Sequence, residues 1–185
     1  SATLKVQNSF DYFLRRVGLD NNGDVSSKEF LSPFYYNEQV TYYQYGGSKD
    51  LSNSPAGIGD VVYHLHNLFD KRIMVLFTSI RALTDTAKYL RALPGGRNLP
   101  LFAQVRGASR PSIIKGMHQT SNGILFGTNS FWEGVDLPGE LLEILVLVKL
   151  PFDVPSEPLV RSYSDQVNKM GGNSFIDYSL PETAI

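Results

Sequence analysis

The chain has 185 residues, 42% of them hydrophobic and 12% aromatic, which is enough apolar material for a continuous core and argues against disorder. Lys and Arg total 17 against 18 acids, so a net charge of −1 gives no overall basic field and any nucleic-acid contact has to be local. The absence of cysteine excludes disulfides, cysteine-ligated zinc and iron–sulfur clusters within these residues, and with no long apolar run or secretory leader a soluble, cytoplasmic domain without membrane contact is expected.

Apolar residues at Phe10, Phe13, Leu14 and Val17 have helical spacing, and Gly18 is a natural stop. Asp20-Asn21-Asn22-Gly23-Asp24 has the look of a calcium loop, but with Asp20 as first ligand the sixth position is Val25 instead of Gly. The twelfth is Leu31 instead of Glu. A solvated turn is the better reading. Val40 to Tyr45 has the β-branched and aromatic character of a strand, and Gly46 to Pro55 reads as a polar loop. Ile58 to Phe69 then carries the pattern of an amphipathic helix.

From there strand and helix alternate: Ile73 to Phe77, Arg81 to Leu93, Leu99 to Val105, Pro111 to Met117, Ile124 to Phe126. Runs of Val, Ile and Leu suit strands buried on both faces, so the expected fold is α/β, a mainly parallel sheet flanked by helices in three layers. Glu143 to Leu150 extends that sheet, Pro151, Pro155 and Pro158 break the chain, and Leu159 to Met170 forms an outer helix. Leu180-Pro181-Glu182-Thr183-Ala184 reads as a helix opening, so both chain ends look cut.

The chemistry concentrates in Gly127 to Gly139, GTNSFWEGVDLPG, between two apolar runs. Such a segment belongs at the carboxyl end of a strand in an open parallel sheet, where loops reach ligands. Trp132, the sole tryptophan, either anchors the loop or meets a base; Glu133 and Asp136 either hold turn amides or accept hydrogen bonds from a ligand. Thr78-Ser79, at the end of a strand and before a helix, either cap that helix or bind phosphate through hydroxyls and helix amides. His64 and His66 should face different sides of a helix and His118 is remote, so no metal site is expected. Neither a Gly-Lys-Ser/Thr phosphate loop nor a Gly-x-Gly-x-x-Gly turn occurs.

Taken in order, these motifs resemble the second RecA-like motor domain of DinG/XPD-type superfamily-2 DNA helicases, nearest the bacterial DinG pattern, over residues 1–185. Ser1-Ala2-Thr3-Leu4 looks like motif III. Val75-Leu76-Phe77-Thr78-Ser79 with Ala82-Leu83 looks like motif IV, and Ser130-Phe131-Trp132-Glu133-Gly134-Val135-Asp136-Leu137-Pro138-Gly139 like motif V. Ser32-Pro33-Phe34, Leu150-Pro151-Phe152 and Pro155 continue the likeness, and the long motif V run is the specific part.

The resemblance implies a RecA-like fold and one lobe of a two-lobed motor that moves on single-stranded DNA. ATP and Mg2+ would be bound mainly by a first RecA-like domain not contained here, with motif VI beyond Ile185. Thr78, Ser79, Arg81, Ser130 and Trp132 would meet DNA. Glu133 and Asp136 would serve catalysis by sensing nucleotide state, with Gly134 and Asp136 beside the nucleotide and Ser1 and Thr3 coupling the lobes. Gln104, Ser109 and Arg110 form a further patch facing DNA or the other lobe. The chain alone would bind no cofactor and hydrolyse no ATP. The rival is a RecA-like module that binds DNA or protein passively.

Overall fold

A computed structural model describes residues 4–20, 23–47, 50–105, 107–132 and 134–185. In chain order they form α1 (Asp11–Arg16), α2 (Tyr36–Gln39), α3 (Pro55–Phe69), β1 (Ile73–Leu76), α4 (Ile80–Ala92), β2 (Leu101–Ala103) and α5 (Arg110–His118). There follow β3 (Ile124–Gly127), α6 (Asn129–Trp132), β4 (Ile144–Leu147), α7 (Pro158–Lys169) and α8 (Leu180–Ala184). These group into two compact units, one of residues 46–150 and one of 1–45 with 151–185.

The larger unit is a four-stranded parallel sheet in the order β2-β3-β1-β4. Alternation along the strands sorts its core into two layers. Ile73, Val75, Phe77, Leu101, Ile124 and Phe126 face α3 and α4, meeting Ile58, Val62, Leu83 and Leu90. Met74, Leu76 and Leu125 face the other way, onto Ile113 and Met117 of α5 and onto Phe131. The apolar runs read as strands buried on both faces are so for β1 and β3, every residue of which is buried. This is the expected helix–sheet–helix sandwich. Edge strand β4 departs from it, because Leu145 and Leu147 are half exposed while Ile144 and Val146 pack on the core. An edge strand has one neighbour, and α5 lies over β2 and β3.

Local chemistry sets the helix starts. Ser54, Ser79 and Ser109 cap α3, α4 and α5, each hydroxyl accepting from the amide three residues on, and Pro55 and Pro111 occupy the first turns of α3 and α5. The α3 helix therefore begins within the stretch read as loop, and its last apolar residues, Leu68 and Phe69, are exposed.

In the smaller unit α1 is fastened to the chain's other end. Tyr12 Oη donates to Glu182 at 2.5 Å, Arg16 pairs with Glu182 at 2.7 Å, and the Arg16 guanidinium lies 4.4 Å over the Tyr163 ring, itself stacked on Tyr178. Burial and the Glu182 carboxylate push the Tyr12 phenol well above its usual range. The strand expected at Val40 to Tyr45 does not form: these residues take no regular secondary structure, and Tyr42 and Tyr43 are more than four-fifths exposed. Aromatic and β-branched residues favour a pleated surface only when a neighbouring strand supplies one.

Candidate nucleic-acid interface

The parallel sheet brings the motif IV and motif V segments together at one end. β1 and β3 are neighbours in register, Leu76 opposite Gly127, so the segments leaving them diverge from adjacent points. Phe77 N donates to Gly127 O at 2.9 Å, and the Trp132 indole N–H reaches Phe77 O at 3.4 Å. The tryptophan-bearing turn therefore sits at the carboxyl tips of the strands.

Gly127 permits the turn that follows, because a Cβ there would come within 2.6 Å of the Phe131 Cβ. Phe131 is almost fully buried against the α5 face of the sheet and anchors the loop, so Trp132 beside it stays only partly covered. Gly134 has φ +64°, a left-handed conformation that costs a side-chain-bearing residue strain. Its carbonyl accepts from the Arg110 guanidinium, which also lies 5.6 Å from the Phe131 ring. Arg110 thus ties the amino end of α5 to the loop.

Thr78, Ser79 and Arg81 are exposed at the tip of β1. Ser79 is the α4 cap, its oxygen accepting from Ala82 N at 3.1 Å, and its hydroxyl proton remains able to donate outward. Capping and ligand contact are therefore compatible. Arg81 keeps a side chain 93% exposed, with only a 3.8 Å surface pair to Asp85, too loose to hold it in place. Because β1 leads into α4 and β2 into α5, both helices present their amino ends, with unpaired amides and partial positive charge, at this end of the sheet. A near-neutral chain thereby acquires a locally positive edge.

Ser130 and Asp136 are exposed on the motif V loop. Asp136 and Gly134 form one wall of a shallow groove of about 610 Å³ whose other wall is Arg110, Lys115 and His118 of α5. Ser1, Thr3 and Glu133 lie outside the described residues. Of the wider patch, Ser109 caps α5, Arg110 holds Gly134, and the Gln104 amide is taken up by the loop itself, bonding Thr128 and Ser130. Thr128, buried at the loop's start, escaped the sequence reading, and Gln104's contact with it is visible only once β2 is placed beside β3. His64 is exposed and His66 buried, on different faces of α3. Among the described residues no group of three metal-ligating side chains converges, and no helix is long and apolar enough to cross a membrane.

Comparison with known proteins gives the family. Residues 62–185 match the helicase C-terminal domain family. The whole chain aligns with ATP-dependent DNA helicase YoaA of Haemophilus influenzae at 30% identity, covering 28% of that protein. It aligns likewise with the 3'-5' exonuclease DinG of Bacillus subtilis at 32%, covering 20%, and with ATP-dependent DNA helicase DinG of Photobacterium profundum at 31%, covering 27%. The chain thus spans roughly a quarter of the length of such relatives. With an all-parallel sheet, two neighbouring strand-tip loops and this match, the chain belongs to the helicase C-terminal domain family and is related to the DinG and YoaA ATP-dependent helicases.

Proposed function

We propose that this chain is the second motor lobe of an ATP-dependent DNA helicase of the DinG type. It binds single-stranded DNA across the strand tips and completes an ATP site with a first RecA-like lobe of the same protein. The observation that carries the reading is the adjacency of Thr78-Ser79 and the Trp132 loop at the tips of paired strands β1 and β3. One surface offers hydroxyl and amide donors suited to phosphate, an exposed arginine, a partly covered indole and an exposed carboxylate.

The roles proposed are those that the family resemblance implies. Thr78, Ser79 and Arg81 bind DNA phosphates, while Ser130 and Trp132 contact the strand from the neighbouring loop. Gly134 and Asp136 border the nucleotide, and Asp136 with Glu133 accepts hydrogen bonds whose geometry changes as the lobes close. Ser1 and Thr3 relay that closure. ATP supplies the phosphoryl group whose cleavage drives the cycle, and Mg2+ neutralises its charge. Mg2+ would be held mainly by the first lobe, as the family resemblance implies.

The test is hydrolysis. The 185-residue chain alone should turn over no ATP above background, and in the full-length protein Glu133→Gln or Asp136→Asn should lower DNA-stimulated hydrolysis about tenfold or more, a loss of about 1.4 kcal/mol of transition-state stabilisation. Thermal midpoints should stay put. Turnover by the chain alone, or wild-type rates in both variants, contradicts the proposal.

A further inference from the structure

Gln104 follows the last residue of β2, and its backbone amide continues the pairing by donating to Phe126 O at 2.9 Å. Its side chain then crosses to the end of β3. Gln104 Oε1 accepts from Thr128 N and from Thr128 Oγ1, both at 2.9 Å, and Gln104 Nε2 contacts Ser130 Oγ at 3.0 Å. The amide's orientation is not arbitrary. A backbone N–H can only donate, so the atom facing Thr128 N has to be the oxygen, which turns the amino group toward Ser130.

Other ties on this loop come from other elements: the Trp132 indole bonds the β1 end, and Arg110 of α5 bonds Gly134. Among the described residues, Thr128 and Ser130 are bonded by the side chain of Gln104, at the end of β2. Thr128 is buried, so its amide and hydroxyl have little water to fall back on if the glutamine oxygen is removed. Ser130 is exposed, and its hydroxyl is held toward β2.

We infer that Gln104 is a positioning residue for motif V, clamping Thr128 and Ser130 so that the Trp132 turn is set before any ligand arrives. This rests on the motor reading only for its consequence in turnover; the clamp itself is a property of the fold. A side-chain amide spanning two loop residues can supply the preorganisation that a site on a loop otherwise lacks.

The sole tryptophan makes the clamp observable in the 185-residue chain. Gln104→Met keeps the length of the side chain and removes all three bonds. The Trp132 emission should move to longer wavelength and acrylamide quenching should steepen, with the far-ultraviolet circular dichroism unchanged. Gln104→Glu keeps the two acceptor bonds, and the Ser130 hydroxyl can rotate to donate, so its emission should stay close to wild type. Ser130→Ala cuts one tie at an exposed position and should shift the emission in the same direction as Gln104→Met, by less. A wild-type emission in Ser130→Ala and in a folded Gln104→Met overturns the clamp. Should Gln104→Met fail to fold, an unmoved Ser130→Ala overturns it by itself.

In the full-length protein, Gln104→Met should lower kcat for DNA-stimulated hydrolysis about tenfold with KM for ATP little changed, and Gln104→Glu should restore most of it. A shifted emission with unchanged turnover supports the clamp and contradicts the motor role of the loop it holds. Unchanged emission with lowered turnover contradicts the clamp and leaves the motor role standing.

Discussion

The two ends of the parallel sheet use polar side chains differently. At the amino end, Arg72 donates to three carbonyls, Met117 O at 3.2 Å, Thr120 O at 2.7 Å and Glu140 O at 2.8 Å, stitching α5 and the segment before β4 to β1. Lys71 pairs with Glu143 at 2.6 Å beside it, and Asn122 donates to Asp70. These groups satisfy one another. At the carboxyl end Thr78, Ser79, Arg81, Ser130 and Asp136 are exposed, two helix amino ends point outward, and the internal bonds fix loops whose outer groups face water. An open parallel sheet concentrates its ligand chemistry at that end. The contrast separates residues that hold the fold together from residues placed to meet something else.

Substitutions at the two ends should therefore move different observables. The largest effect on stability should come from Arg72→Ala, which strands three carbonyls and should cost about 2–3 kcal/mol in denaturant unfolding of the chain. DNA binding measured well below the midpoint should not change. A loss of under about 0.5 kcal/mol would mean that water replaces the guanidinium without penalty. Next, Gly134→Ala has room, its nearest neighbour being Arg110 Nη2 at 3.6 Å, but must adopt φ +64°. A cost of about 1 kcal/mol is expected, with a fall in DNA-stimulated hydrolysis by the full-length protein that an equally destabilising change at the amino end would not produce.

Smaller effects sharpen the contrast. Arg81→Ala should weaken single-stranded DNA binding by the full-length protein and reduce the slope of log affinity against log salt by about 0.7, the value for one phosphate contact on a single strand. An unchanged slope would remove Arg81 from the interface. Smallest is Glu143→Gln. The Lys71 ammonium holds the Glu143 carboxyl below its usual value of 4.5, so the pair's contribution is present above that value and lost as pH falls through the lowered one. Lys71 is raised in turn, so the same contribution disappears again at strongly alkaline pH. Wild type and variant should thus diverge slightly at neutral pH and converge in acid; parallel curves down to low pH would contradict the pairing.

Much of this was legible in the sequence. The apolar runs at Ile73 and Ile124 announced buried parallel strands, and their turn chemistry announced where the loops leave. What remained hidden was pairing. Val40 to Tyr45 had strand composition without a partner, and composition says nothing about whether a neighbour exists. Leu145 and Leu147 read as buried, but their exposure follows from β4 being at the edge, a fact of strand order. At the site, Thr78 and Trp132 could be named from local chemistry, whereas Gln104 read as an outward-facing patch because Thr128 lies 24 positions away in sequence and meets it only through the β2–β3 register.

The central claim is that the carboxyl end of the sheet, not the amino end, faces the DNA. It is tested most directly by placing a photo-crosslinking side chain at Ile80, half exposed beside Thr78 and Ser79, or at Lys71 at the opposite end, in the full-length protein with single-stranded oligonucleotide. The account predicts crosslinks from position 80 that excess unlabelled oligonucleotide competes away, and none above background from position 71. Equal yields, or crosslinks from position 71 alone, would contradict it.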